Sequence, residues 1–207
     1  GDMDAWKEIM VDMETAWKKS RNVDLLYDLA ETQYGYIGYC ISMKKKKESK
    51  EFLARAERNT DLLLTFDGAN AGIYAMKGAF FGFRIFLEPL KDPKYGKESL
   101  EYNEKALELD PDNAHAWLEK ANMEYYRPVV FGGSKIRAVP HYEKAVALYE
   151  ADQAMIENYW MYLNALTALA NAYSETGSLR EANQLYKRIL RIEPGFKWIR
   201  DEVYPAF

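Results

Sequence analysis

One cysteine, two histidines and no surplus of basic residues narrow the chemistry open to this 207-residue chain before any pattern is read. A single thiol, Cys40, excludes an internal disulfide framework and a Cys-rich zinc site. His115 and His141 do not stand at HExxH or another two-ligand helical spacing. With 28 basic against 32 acidic residues the formal charge is −4, so the electrostatic footprint of a nucleic-acid binder is missing. There is no G-x-S-x-G, P-loop or dinucleotide loop, and the period-2 alternation of strands is nearly absent. Paired carboxylates such as Glu104/Glu108 and Glu143/Glu150 fall on outer helical faces, where they serve solubility. No catalytic residue, metal or cofactor is expected.

Long apolar runs are scarce too. The most apolar stretch, Ala69 to Leu87, contains Lys77 and Arg84. Two cations in a span cost up to roughly 2.5–3.5 kcal/mol each, so this segment reads as a helix buried in protein. Integral membrane segments are therefore not expected.

What the chain has in quantity is helical periodicity and aromatic rings, 14% of residues with 16 tyrosines. Trp6, Ile9, Met10, Met13 and Trp17 form one stripe at i, i+3/4, i+7 and i+11. Further helices are predicted over about 23–46, 50–66, 71–88, 94–109, 113–126, 134–149, 154–175 and 178–192, with a short one over 195–203. Asp67-Gly68, Pro89 and Asp110-Pro111 punctuate them. The class is all-α.

The helices repeat. Residues Leu163 to Phe196 form a helix–turn–helix stretch with Ala170, Tyr173, Gly177, Ala182, Tyr186 and Pro194 at fixed intervals. These residues resemble the tetratricopeptide repeat (TPR). The signature returns with Ala106 and Pro111, and with Trp117, Ala121, Ala138, Tyr142 and Ala145. It recurs in Tyr74, Gly78 and Phe81, and more weakly in Tyr34, Gly38 and Ile41. Repeats start near Glu31, Ala71, Ala114 and Leu163, each separated by more than the usual 34 residues. The resemblance implies a right-handed α-α superhelix of about four helix pairs. It divides into an N-terminal cap (1–21), a degenerate pair (22–70), repeats at 71–113, 114–152 and 153–196, and a C-terminal cap (197–207). Small residues let paired helices approach, and the aromatics fill the gaps between pairs.

The resemblance also implies a binding face, because first-helix positions two, five, nine and twelve line the groove in this family. Here they are Thr32, Gly35, Tyr39 and Ser42; Gly72, Ala75, Ala79 and Gly82, a nearly bare wall; His115, Leu118, Asn122 and Tyr125; and Asn164, Thr167, Asn171 and Ser174. Asn122 and Asn171 share the ninth position, from which an amide can bond a ligand backbone or stay locally bonded. No lysine occupies a fifth position, which argues against a clamp for C-terminal carboxylates. The segment Tyr125–Ser134, containing Phe131-Gly132-Gly133, adds about five residues to the repeat and is similar to an insertion in small bacterial, partly exported, TPR proteins. Val129, Val130 and Phe131 are expected to fold over the repeat or into the groove, as a plug or as a lip with Arg127. The lysine-rich run Lys44–Lys50 is expected to be a solvated turn.

Tyr39, His115, Asn122, Tyr125, Arg127, Phe131, Asn164 and Asn171 are thus the candidate contacts of a protein or peptide partner. A self-associating structural subunit and an aromatic pocket for a small molecule or glycan remain open alternatives. The expected state is a monomer or weak homo-oligomer. Gly1, without an initiator methionine, has the look of a cleavage scar; export to the periplasm is the expectation, with a cytoplasmic site the alternative.

Overall fold

The computed structural model describes residues 2–88, 94–157 and 159–206. Among them there are nine α-helices and no strand. Pro89 and Asn158 lie outside the described residues. The chain forms two compact units, Asp2–Pro111 and Asp112–Phe207.

In the N-terminal unit α1 (Met3–Ser20) packs on α2 (Val23–Ser42), which pairs with α3 (Lys46–Phe66); α4 (Ala71–Leu87) pairs with α5 (Tyr95–Leu109). Asn22 and Asn70 cap α2 and α4 by accepting from the Leu25 and Ile73 amides. Leu26, Leu29, Ile37 and Cys40 of α2 and Phe52, Leu53, Ala56 and Leu63 of α3 are all buried where the two helices pack. The apolar helix α4 is buried over most of 71–80, while Ile85 and Phe86 near its end are exposed; its two cations are neutralised, Lys77 by Asp61 and Arg84 by both oxygens of Glu57. Ser99 of α5 donates to the Gly78 carbonyl at 2.8 Å, and a Cβ at Gly78 would sit 3.1 Å from the Ser99 carbonyl. Here the small repeat residue does permit a close helix approach. At Gly38, by contrast, an added Cβ would meet nothing within 4 Å.

The lysine-rich turn differs from expectation. The second helix ends at Ser42, not near Lys46. Lys44 adopts a left-handed conformation (φ 56), with Lys44 N–H bonded to Ile41 O at 3.0 Å and Lys45 N–H to Cys40 O at 2.8 Å. That pattern is a Schellman closure, built without the usual glycine. It releases Lys46 to begin α3 four residues early.

In the C-terminal unit α6 (Ala114–Tyr126) pairs with α7 (Lys135–Glu150), and α8 (Trp160–Glu175) pairs with α9 (Leu179–Ile192); α7 packs on α8. Asn113 caps α6 and Ser134 caps α7. Ala121, Ala138, Ala170 and Ala182 are fully buried, and Tyr142 and Tyr186 fill the core beside them. The helix expected from 154 starts only at Trp160. Asp152 accepts from the Ala154 amide at 2.9 Å and directs Gln153–Met155 into a 3₁₀ turn instead. A π-helical turn, Ile199–Val203, buries Ile199 near the chain end.

Candidate functional site

Seven of the eight residues singled out in the sequence lie in the C-terminal unit, and Tyr39 lies in the N-terminal one. Tyr39 is half-buried at the end of α2, its ring under the Lys45 ammonium at 4.9 Å.

In the C-terminal unit the sequence sets two stripes of polar groups. Seven residues are nearly two helical turns, so Asn164 and Asn171 share one face of α8, and Glu175 continues it a turn later. On α6 the same spacing aligns His115 with Asn122, and Tyr125 follows one turn on. His115 is only 6% exposed and Leu118 is fully buried, so the first turns of α6 are interior. This corrects the expectation for His115, which cannot meet a partner there without repacking. Asn122, Tyr125, Asn164 and Asn171 are half-buried.

The two ninth-position asparagines are held alike. Tyr142 Oη donates to Asn122 Oδ1 at 2.8 Å, and Tyr186 Oη donates to Asn171 Oδ1 at 2.8 Å. Asn122 Nδ2 also donates to Glu119 Oε1 at 3.2 Å. Each amide is therefore oriented by a tyrosine from the second helix of its own pair. These tyrosines were legible only as packing residues. The partners lie 20 and 15 residues apart, and the difference equals the roughly five residues that the Tyr125–Ser134 segment adds to the repeat. Aligning the two repeats with the insertion removed would have exposed the pairing.

Tyr125 sits among these groups. Its ring is edge-on to Tyr126 and Tyr142, at 4.8 and 6.0 Å between centroids. The Lys135 ammonium lies 5.2 Å from the ring centre and is ion-paired with Glu175. Burial, reinforced by the Glu175 carboxylate, pushes the Tyr125 phenol above its ordinary range. Burial pushes Tyr186 up to about 12, with Glu175 again contributing. Both therefore remain neutral hydroxyl groups at physiological pH. The resulting face is a set of half-buried amides and buried or half-buried phenols, edged by one exposed carboxylate–lysine pair. It can exchange hydrogen bonds with a backbone and offer ring area, but none of these groups is poised as an activated nucleophile.

The insertion does not fold over the repeat. Val129, Val130 and Phe131 are 83%, 85% and 74% exposed, and Tyr126 and Ile136 beside them are 72% and 75% exposed. Physically, the loop closes on its own backbone before its side chains reach the helices: Phe131 N–H bonds Pro128 O at 2.8 Å and Ser134 N–H bonds Glu124 O at 2.9 Å. Arg127 is half-buried at its base.

The bare wall expected at Gly72, Ala75, Ala79 and Gly82 is open only at Gly82, where an added Cβ would meet nothing within 4 Å. The Tyr27 hydroxyl lies 2.1 Å from where a Cβ on Gly72 would be, and Ala75 and Ala79 are buried. Among the described residues no group of three or more His, Cys, Asp or Glu is placed to hold a metal, and no helix is long and apolar enough to cross a membrane.

The fold has known counterparts. A thermophilic TPR protein of Thermus thermophilus, TTC0263, superposes with a TM-score of 0.64 at 20% identity, over 97% of this chain and 90% of that one. The chain has the tetratricopeptide-repeat fold. A second similar structure is the HusA haemophore from Porphyromonas gingivalis, with a TM-score of 0.56 at 24% identity, over 85% of this chain and 96% of that one. No family model and no curated protein matches the sequence. The tyrosine–asparagine bonds described above lie within the helix pairs α6–α7 and α8–α9 of this fold.

Proposed function

We propose that the protein is a non-catalytic TPR scaffold that binds an extended peptide segment of another protein on the α6–α8 face of its C-terminal unit. The observation that carries this reading is the pair of asparagines held in one orientation by Tyr142 and Tyr186. An amide already fixed by packing loses little freedom on binding, so its remaining donor and acceptor capacity goes to the guest. Tyr125 adds rigid ring area, and Asn164 extends the face by two turns. Tyrosine and asparagine are the residue types that serve adaptable recognition. The alternative, a small-molecule pocket of tyrosines against the glycine–alanine wall, would have to lie towards Gly82, since Tyr27 covers Gly72 while a Cβ at Gly82 would meet nothing within 4 Å.

The test is a panning experiment. A phage-displayed random peptide library is selected on the wild-type protein and counter-selected on Tyr125→Ala. Peptides that enrich on the first and bind the second about tenfold more weakly support the proposal, this being the loss of roughly 1.4 kcal/mol expected of one interface anchor. Enriched peptides that bind both proteins equally would remove the face from the account.

A further inference from the structure

The insertion presents an apolar tip for which the peptide-binding face offers no use. Val129–Phe131 forms one 3₁₀ turn. At three residues per turn its side chains radiate about 120° apart. All three are more than 70% exposed, so the tip is apolar on every side. It is also rigid. Besides the Phe131 and Ser134 bonds, Gly132 N–H reaches Val129 O at 2.9 Å and Gly133 N–H reaches Pro128 O at 3.2 Å. Arg137 donates to the Gly132 carbonyl, and a Cβ on Gly133 would lie 1.8 Å from Arg127 O. A closed, hydrogen-bonded loop therefore holds three apolar side chains in water, with Tyr126 and Ile136 at its neck.

Charge indicates what receives it. From Tyr125 to Tyr142 the chain carries Arg127, Lys135 and Arg137 and no carboxylate, although the whole protein is net negative. Lys135 is paired with Glu175 through an exposed contact, which solvent and salt weaken; the exposed Arg137 is paired with the partly covered Glu124, and Arg127 makes no ion pair among the described residues. A flat protein face would touch one side of a tip that is apolar all round. A fluid apolar phase with an anionic border solvates every side of it and meets the cations at its base.

We propose that Val129, Val130 and Phe131 insert into the interfacial layer of an anionic phospholipid bilayer, with Arg127, Lys135 and Arg137 facing the headgroup phosphates. This is a peripheral contact by a loop tip, in which cations and apolar groups act together. It does not depend on the peptide-binding reading: it uses none of Asn122, Tyr125, Asn164 or Asn171 and shares only Lys135 with that face, whereas Val129, Val130, Phe131, Arg127 and Arg137 lie outside it.

The experiment is vesicle sedimentation with phosphatidylcholine alone and with phosphatidylcholine mixed with phosphatidylglycerol. The expected result is binding to the mixed vesicles about tenfold stronger than to neutral ones, lost at high salt. Val130→Ser with Phe131→Ser should reduce that binding about tenfold with unchanged helix content. Arg127→Gln should reduce it on anionic vesicles alone. As a second readout, Val130→Cys is labelled with an environment-sensitive fluorophore while buried Cys40 stays unreactive; its emission should shift to the blue on anionic vesicles. Equal binding to both vesicle types, undiminished binding by the serine variant, or an unshifted fluorophore each overturns the proposal. So does a photo-crosslinker at position 130 that captures a protein while vesicles fail to bind.

Discussion

Tyr186 Oη donates to Asn171 Oδ1 at 2.8 Å, the same bond that joins Tyr142 to Asn122 one repeat earlier. The bond ties the first helix of the pair to the second and fixes the amide. It makes Asn171 a structural residue as well as a candidate contact. Removing the hydroxyl in Tyr186→Phe leaves a half-buried carbonyl without its donor, at about 1 kcal/mol. The expected fall in Tm is roughly 2–4 °C for a chain of this size. A double-mutant cycle with Asn171→Ala should show coupling, and strict additivity would mean that the bond contributes nothing.

Two backbone positions are mismatched in opposite ways. Lys44 occupies a left-handed conformation that suits glycine, at a cost of roughly 1 kcal/mol for an L-residue. Gly38 stands inside α2, where alanine is favoured by about 0.5–1 kcal/mol and a Cβ meets nothing. Lys44→Gly and Gly38→Ala should each raise the urea midpoint. A fall in either would show that the turn or the helix is not held as described.

Glu48 accepts from Tyr36 at 2.9 Å and pairs with Lys7 at 2.6 Å. The Lys7 hydrogen bond, followed by that of Tyr36, holds its carboxyl below the usual carboxylate range. A carboxylate with a depressed folded value stabilises the protein above its unfolded value, near 4.3, and that contribution is lost as pH falls through the folded one. Glu48→Gln should therefore flatten the acid limb of stability against pH below about 5 and leave its slope near neutrality unchanged. Denaturant titrations across that range check it.

The insertion offers a control on rigidity. Gly133→Ala forces a Cβ into the Arg127 carbonyl, and the strain should cost about 1–3 kcal/mol or open the loop. Faster amide exchange at Ser134, whose N–H is bonded to Glu124 O, is the expected signature.

The all-α class and the helix pairing could be read from alanines and aromatics at repeat spacing, because those positions face neighbouring helices and little else competes for them. The end of α2 could not, since its stop is a lysine in a glycine's conformation, and residue identity is silent there. The loop was misjudged for a related reason. Apolar composition argues for burial, yet the backbone closes the turn before the side chains can reach the core. Of the candidate site, Asn122, Asn171 and Tyr125 were legible by position. His115 was not, because repeat position says nothing of what covers it. Glu175 and Lys135 went unnoticed because their pairing joins helices that are distant in sequence.

The most direct test maps where a selected peptide binds. Amide and side-chain shifts of the labelled protein are followed on titration with a peptide enriched by panning. The account predicts saturable shifts concentrated at Asn122, Tyr125, Asn164 and Asn171, with the Asn side-chain signals among the largest. Shifts confined to α9 or to the N-terminal unit, with these four residues unmoved, would contradict it.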